Sequence, residues 1–407
     1  MKRVAIVADS HFDEHSRFEE CIRIHAWIAE QCAERGVHLV LHSGDVYERK
    51  STPRERQAVA QWVQQITRQA PMVIVRGNHD ALGDLPLLER LQTAHPVFVV
   101  EGAGVIPIKT AGVTVGCLGW PNKSRVLTLP GATSHEAGEQ LAGEALRNVL
   151  RGLGQQMAEH TGPRILLAHA MVRGSRVSTG QPLVGCDLEV GLDGLRLADA
   201  HLYALGHIHF GQAWSHDGCD ENPVTATHCD AVYPGSPRRT SYGEREDKHF
   251  VIATFEGEDL VGVEYVKTPC APMVHMEAHW VAEHIALPGD VVVPAGFVYS
   301  DESYVNTPVP GADIRLRYHV EPEYRDAARA AAGALRDRML ADGAVAVKVE
   351  EVVEAASTAR APEVASATTL ADKLRAYWRV RDNEPEPTRA DSLIVKATEL
   401  ETEHHAL

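Results

Sequence analysis

Cysteine is scarce in this sequence: seven among 407 residues, scattered and without a CxxC pair. That pattern excludes a disulfide framework and fits a reducing compartment. Long apolar runs are missing as well, and no stretch approaches the roughly 20 apolar residues a membrane helix needs. The opening MKRVAIVADSHF is no signal-peptide core, because its apolar run is short and interrupted by Asp9 and His11. The expected location is the cytoplasm, with no membrane partner. Positive charge is also in short supply, since 40 Lys and Arg against 56 Asp and Glu leave a net charge of −16. Such a chain cannot coat nucleic acid by bulk electrostatics, although a local basic strip or bound cations can reverse the field at one site.

What is present is the material of folded domains. Hydrophobic residues make up 44% and charged residues 24%, enough to bury proper cores. The length exceeds one ordinary core and predicts two or three domains. The 22 histidines put metal chemistry in question.

The first half alternates strands and helices. RVAIVA, VHLVLHS and PMVIV are short apolar strands. Between the first two, Phe18, Cys21, Ile22, Ile24, Ile28 and Ala29 recur at helical spacing until Gly36. Thr52, Pro53 and Glu55 form a capping box with proline at the first helical position, opening a second helix. This βαβαβ rhythm implies a mainly parallel sheet with helices on its faces. After Leu91 the strands PVFVV, GVIPIK and GVTVGCLG crowd together, which predicts hairpins and a mixed or two-layered sheet. A helix near His135 to Leu153 and the strands RILLA and LYALG follow.

The strand ends carry the chemistry. The first ends in Asp9-Ser-His11, the second in Gly44-Asp45, the third in Gly77-Asn78-His79-Asp80, RILLA in His169, and LYALG in Gly206-His207-Ile-His209. Each ending alone reads as an ordinary turn, because Asn, Asp and Gly are turn residues. Together they place oxygen and imidazole ligands on five strand ends, which in such a sheet converge on one rim. Asp9, His11, Asp45, Asn78, His169, His207 and His209 suffice for two metal ions if Asp45 bridges them. Carboxylate, amide oxygen and imidazole without thiolate suit manganese, iron or zinc more than a structural zinc site. Two ions about 3.5–4 Å apart activate a bridging water and clamp a phosphoryl group, which is phosphoester hydrolysis.

In order and content, DxH, GD, GNHD, a solitary His and GHxH resemble the signature of the calcineurin-like metallophosphoesterases, over roughly residues 1 to 270. Within that superfamily, YPGSPRRTSYGEREDKHFVI at 233–252 is similar to a segment of SbcD-type nuclease subunits of the double-strand-break repair complex. The resemblance implies that Asp9, His11, Asp45 and His209 hold one metal and that Asp45, Asn78, His169 and His207 hold the other. It leaves His79 free of metal to stabilise the phosphate or protonate the leaving oxygen, and makes Asp80 the residue that orients its ring. It also implies manganese, DNA as substrate, a homodimer and an SbcC-type ATPase partner. One position departs from the archaeal and eukaryotic pattern: Glu48 stands where a histidine is usual, as in many bacterial members.

The implied fold is α/β, a two-layered mixed-sheet metallophosphoesterase core at 1–271 flanked by helices. A small α+β capping or DNA-binding domain at 272–354 follows, then a linker at 355–368 and a helical partner-binding segment at 369–407. Arg49, Lys50, Arg54, Arg56, Arg238 and Arg239 are the candidate DNA contacts. In the tail, TLADKLRAYWRVR aligns Leu370, Leu374, Tyr377 and Trp378 on one face, and a second segment aligns Leu393, Ile394, Ala397 and Leu400. Folding back on the capping domain and docking a partner both satisfy such faces. His216, Cys219, His228 and Cys229 are zinc-type ligands at irregular spacing. The rival functions are a general phosphodiesterase acting on small molecules, which would not need residues 272–407, and an inactive scaffold for the ATPase.

Overall fold

The computed structural model describes residues 1–121, 135–178, 189–215, 218–220, 229–281, 285–287, 291–293, 296–299, 310–354, 362–382 and 385–404. Two compact units emerge. The first comprises Met1–Met276 with Asn306–Leu316 and Asp337–Lys348, and the second Glu277–Val305 with Arg317–Arg336 and Val349–Leu407.

In the first unit, β1 (Lys2–Val7), β2 (Leu39–His42), β3 (Met72–Val75) and β4 (Val97–Val100) run parallel and side by side. They are linked through helices α1 (Phe18–Glu34) and α2 (Pro53–Ile66). The capping box at Thr52 forms as its sequence requires: Thr52 Oγ1 accepts from the Glu55 backbone at 3.3 Å and Glu55 Oε2 accepts from the Thr52 backbone at 2.8 Å. A second sheet is built from β5 (Ala103–Ile108), β6 (Val113–Leu118) and β7 (Arg164–His169). The short pair β8 (Met171–Val172) and β9 (Glu189–Val190) stands apart from it. The second sheet is completed by β10 (Leu202–Gly206), β11 (Gln212–Ser215), β12 (Gly218–Asp220) and β13 (Ala231–Tyr233). Its order is β12-β11-β13-β10-β7-β6-β5, parallel in the middle and antiparallel at both margins.

Side-chain alternation explains why the sheets stack. Along β1, Val4 and Ile6 join Val115, Ile165 and Leu167 in a core between the sheets, while Ala5 and Val7 face the opposite way toward Ile24, Ile28, Val59 and Val63 of α1 and α2. The helix His135–Met157 covers the far face of the second sheet, where Leu146, Leu150 and Leu153 meet Leu166 and Leu205. Strands buried on both faces read as continuous apolar runs, as these do. Beyond the expectation lies the hairpin β14 (His249–Glu256) and β15 (Asp259–Lys267), which adds antiparallel to β1 and closes that sheet as β15-β14-β1-β2-β3-β4. Its pairing joins residues some 250 positions apart in sequence, which no local pattern discloses.

The remaining strands are β16 (Met273–Val281), β17 (Ile285–Leu287), β18 (Val291–Val293), β19 (Gly296–Tyr299), β20 (Asp313–Val320) and β21 (Ala346–Val353), with a four-stranded order β19-β16-β20-β21. The helix Arg325–Ala341 lies between the last two strands in the chain. Of the expected linker, 355–361 falls outside the described residues, and Pro362–Ser366 forms a short helix against the next one. The tail is two helices, Leu370–Arg381 and Pro387–His404. Of the face expected to align, Trp378 is buried, Leu374 and Ile394 are half-buried, and Leu370, Tyr377, Leu393 and Leu400 are exposed. Ala397 of the expected face is buried as well, and Ala376 and Ala390 outside it take further buried places, because closely packed helices favour short side chains at their contact. No described helix is long and apolar enough to cross a membrane.

Candidate metal centre

Parallel registers set β1, β2 and β3 level, and likewise β7 and β10, so their carboxyl ends meet at one rim. The loops that follow are laced together by backbone hydrogen bonds. Asp9 N–H donates to Gly44 O at 3.1 Å, His11 N–H to Asp45 O at 3.0 Å and Phe12 N–H to Val46 O at 2.9 Å. The packing leaves no room for side chains at two points. A Cβ on Gly77 would sit 2.0 Å from Asp45 Oδ1, and one on Gly44, at φ 96°, would sit 2.5 Å from His169 Nδ1. Of seven described non-glycine residues with positive φ, four are expected ligands: Asp9 (50°), His11 (45°), Asp45 (55°) and His207 (108°). Sparsely populated backbone costs about 1–3 kcal/mol per residue and persists where the surroundings over-determine it.

The seven expected ligands come together. The ligating atoms of Asp9, His11 and His209 lie within 4.8 Å of one another, as do those of Asp45, His169 and His207. Asp45 stands between the sets, its Oδ2 3.3 Å from His169 Nε2 and 3.9 Å from His11 Nε2. Asn78 Oδ1 lies 2.8 Å from His169 Nε2 and 3.1 Å from His207 Nδ1.

Oxygen acceptors fix how the imidazoles face. Glu48 Oε2 lies 2.7 Å from His11 Nδ1, Ser43 O 2.7 Å from His169 Nδ1, and Glu244 Oε1 3.4 Å from His209 Nδ1. An oxygen on Nδ1 makes that nitrogen the donor, so in the neutral rings the Nε2 lone pairs face the centre. His11 Nε2 and His209 Nε2 approach to 3.0 Å, a contact that needs a proton or another cation between the two rings. Asp9 Oδ2 is buried with no hydrogen-bond partner among the described residues. Both features call for a cation, and the donor set, carboxylate, amide oxygen and imidazole, fits a divalent metal.

Sequence reasoning flagged Glu48 only as a departure and missed Glu244, Ser43 and Trp120 as parts of the site. Glu244 lies inside the 233–252 segment, so a signal existed. It is buried, with Lys248 Nζ at 2.6 Å and Thr240 Oγ1 at 2.7 Å. Trp120, just past β6, packs on His207 with ring centres 4.8 Å apart and planes tilted by 32°. Behind the ligands, His25 Nδ1 donates to the Cys21 carbonyl at 2.7 Å, and His25 Nε2 therefore accepts from Ser10 Oγ at 2.8 Å. Ser10 Oγ accepts in turn from His42 Nε2 at 2.7 Å, and His42 Nδ1 accepts from the Gly44 N–H at 3.2 Å. Burial pushes both imidazoles down to about 3, which keeps this chain neutral and its donors in order.

Electrostatics within the cluster follow burial first and charge second. Burial works to raise Asp45, but His169 outweighs it and holds the carboxyl well below the usual range. The reverse holds for His169, which Asp45 lifts to about 9 against the effect of burial. His207 is pushed down to about 3 by burial and by His169. Burial raises Asp9. In Glu244, burial is outweighed by His209 and Lys248, and the carboxyl sits at about 2.

Two expectations need correction. Asp80 does not orient His79: its oxygens accept backbone N–H groups of Asp45 and Gly77 at 2.9 Å and of Tyr47 at 2.9 Å, so it clamps the loops beneath the ligands. His79 Nδ1 instead meets the Glu48 carbonyl at 2.8 Å. Nor are Arg238 and Arg239 open to DNA. Arg238 is 1% exposed and donates to the His11 carbonyl at 2.8 Å, while Arg239 ties down the carbonyls of Glu244 and Glu246 at 2.9 and 2.7 Å. Carbonyls of the following turn draw Arg239 inward, and the carbonyl of His11 draws Arg238. Lys50 is exposed. Arg49 pairs with Asp13 at 2.7 Å, Arg54 with Glu19 at 2.7 Å, and Arg56 donates to the Ser51 carbonyl at 2.7 Å. Of the irregular zinc-type set, His216, His228 and the side chain of Cys219 lie outside the described residues, and Cys229 is buried.

Residues 2–211 match the family model of the calcineurin-like phosphoesterases. The chain belongs to that family, whose chemistry is phosphoester hydrolysis at divalent metals. No curated protein sequence matches the chain. Among solved structures, the protein TT1561 of Thermus thermophilus is similar at 13% identity over 58% of this chain and 89% of that one, with a TM-score of 0.36. A dimetal phosphatase from Danio rerio is similar at 11% identity over 65% of this chain and 98% of that one, with a TM-score of 0.37.

Glu48 generates a test. Glu48→Ala removes the acceptor on His11 Nδ1 and should weaken divalent-metal binding by about 10–100-fold, the usual effect of losing such a partner. Glu48→Gln keeps an acceptor oxygen and should recover most of the loss. Competition against a fluorescent chelator reads both, and an unweakened Ala variant would remove Glu48 from the site.

Proposed function

We propose that this phosphoesterase is a manganese-dependent DNA nuclease subunit of the SbcD type, acting in the cytoplasm as a homodimer with an SbcC-type ATPase. The hydrolytic half of the proposal is carried by Asp45 standing between two ligand sets. Asp9, His11, Asp45 and His209 would hold one ion, and Asp45, Asn78, His169 and His207 the other. When bound, such ions polarise the phosphoryl group and make water nucleophilic at neutral pH.

The chain's own residues then have distinct tasks. His79 is more than a third exposed beside the ligands, and its Nδ1 donates to the Glu48 carbonyl. Its Nε2 is therefore the atom that, once the ring carries a second proton, hands it to the leaving oxygen. Glu48, Glu244 and the Ser43 carbonyl hold three imidazoles in a ligating orientation. Lys50, and Arg49 on release from Asp13, would be the cations that touch phosphates without reading sequence. The DNA half of the proposal is supported by the likeness of residues 233–252 to SbcD-type chains. In this proposal residues 272–354 cap the nuclease and 369–407 dock the partner. Trp378 and Leu393, with Tyr377, Arg381, Pro385 and Arg389, line one cleft beside the tail helices.

Asp45→Asn should lose both metals together, because it removes the charge shared by the two sets; mass spectrometry of bound metal checks it, and retention of two tight ions would sink the bridging role. His79→Asn should keep its metal yet hydrolyse about 10²–10⁴-fold more slowly, with normal cleavage pointing to another acid. A chain ending at Ala355 should fail to co-purify with the ATPase while still cleaving a simple phosphodiester. The substrate itself is tested by incubation with manganese and labelled hairpin DNA, with and without ATP and the ATPase. Cleavage of the model diester but never of DNA would favour a small-molecule substrate.

A further inference from the structure

The second unit carries a ligand cluster that the phosphoesterase chemistry does not use. His279 on β16, His319 on the neighbouring β20 and Glu354 just after β21 bring their ligating atoms within 4.8 Å of one another. Alternation along the strands explains the placement. Ala278, Tyr318 and Val320 are buried on one face, so Glu277, His279 and His319 fall on the other. The two imidazoles stack with ring centres 4.7 Å apart and planes 20° from parallel.

The hydrogen bonds within this cluster leave ligating atoms turned toward one another and available to a cation. Glu277 Oε1 lies 2.8 Å from His319 Nε2, and a carboxylate there makes Nε2 the donor. In the neutral ring, His319 Nδ1 is then left with a lone pair. That atom sits 3.8 Å from Glu354 Oε1, and His279 Nδ1 sits 3.8 Å from the same oxygen. Both separations exceed hydrogen-bonding range. Two imidazole nitrogens and a carboxylate oxygen thus surround one point without bonding each other, while a second carboxylate orients one ring from behind. That arrangement of histidine backed by carboxylate is how metal-ligating imidazoles are held.

We infer that His279, His319 and Glu354, with Glu277 orienting His319, form a divalent transition-metal site of the zinc class on the second unit. Three protein ligands of imidazole and carboxylate type leave a further position open to water or to a ligand from outside. The side chains of His279 and Glu354 are about half exposed, at 54% and 50%, so an ion can enter from solvent. The inference is independent of the nuclease proposal, because no ligand is shared with the first unit.

The test uses the full chain, stripped with chelator and re-equilibrated with zinc alone. Metal counts are compared among the wild type, a His279→Gln/His319→Gln double variant and Asp45→Asn. The double variant should lose one zinc per chain, keep the cluster around Asp45 loaded, and cleave a model phosphodiester with manganese as the wild type does. Asp45→Asn should keep the zinc that the double variant loses. Glu277→Gln should bind that ion about 10–100-fold more weakly. Glu354→Gln provides a second route should the double variant fold poorly. Equal zinc counts in the wild type, the double variant and Glu354→Gln would overturn the site and leave only a histidine–carboxylate ion pair.

Discussion

The structure turns on one buried carboxylate. Asp45 is 2% exposed, and its oxygens meet His169, His11 and the His79 backbone N–H at 3.3, 3.9 and 2.9 Å. A charge taken out of water is expensive unless it is paired and hydrogen-bonded. Pairing this one requires three strand ends and a fourth from the other sheet to arrive within a few ångströms. That demand accounts for the absent side chains at Gly44 and Gly77 and for the positive φ of Asp45 itself. It also accounts for Asp80, whose three backbone hydrogen bonds hold the loops from below.

Acidic residues outnumber basic ones in the chain, and part of that excess is gathered at this rim. Asp9, Asp45, Asp80 and Glu244 are buried there, with Glu48 partly so. The buried cations nearby, Arg238 and Lys248, are turned to structural tasks, one on the His11 carbonyl and one on Glu244. The arrangement leaves carboxylate oxygens and imidazole nitrogens facing a common centre, where divalent ions would balance the charge. An acidic protein can in this way present a locally positive site to a phosphate.

Rigidity is distributed to suit that chemistry. The ligands hang on short loops from strands buried on both faces, and a neutral His25–Ser10–His42 chain fastens two of those loops to α1. The second unit is built more lightly. Its tail helices bury alanines and one tryptophan, and several larger apolar side chains stay at the surface.

The sequence alone disclosed the strands and helices of the first half, the capping box at Thr52 and the seven residues that gather at the rim, because these depend on local periodicity and on motifs at strand ends. What it could not disclose depends on contacts between distant segments. Asp80 and His79 are neighbours in sequence, yet one turns inward to backbone amides and the other toward the Glu48 carbonyl. Arg238 and Arg239 read as surface charge, but buried carbonyls of the same turn and of the His11 loop claim them. Glu48 looked like a mere departure until the fold set its carboxylate against His11 Nδ1. Ligand identity was written along the chain, whereas tautomer, orientation and burial were decided by which oxygen the tertiary structure placed behind each ring.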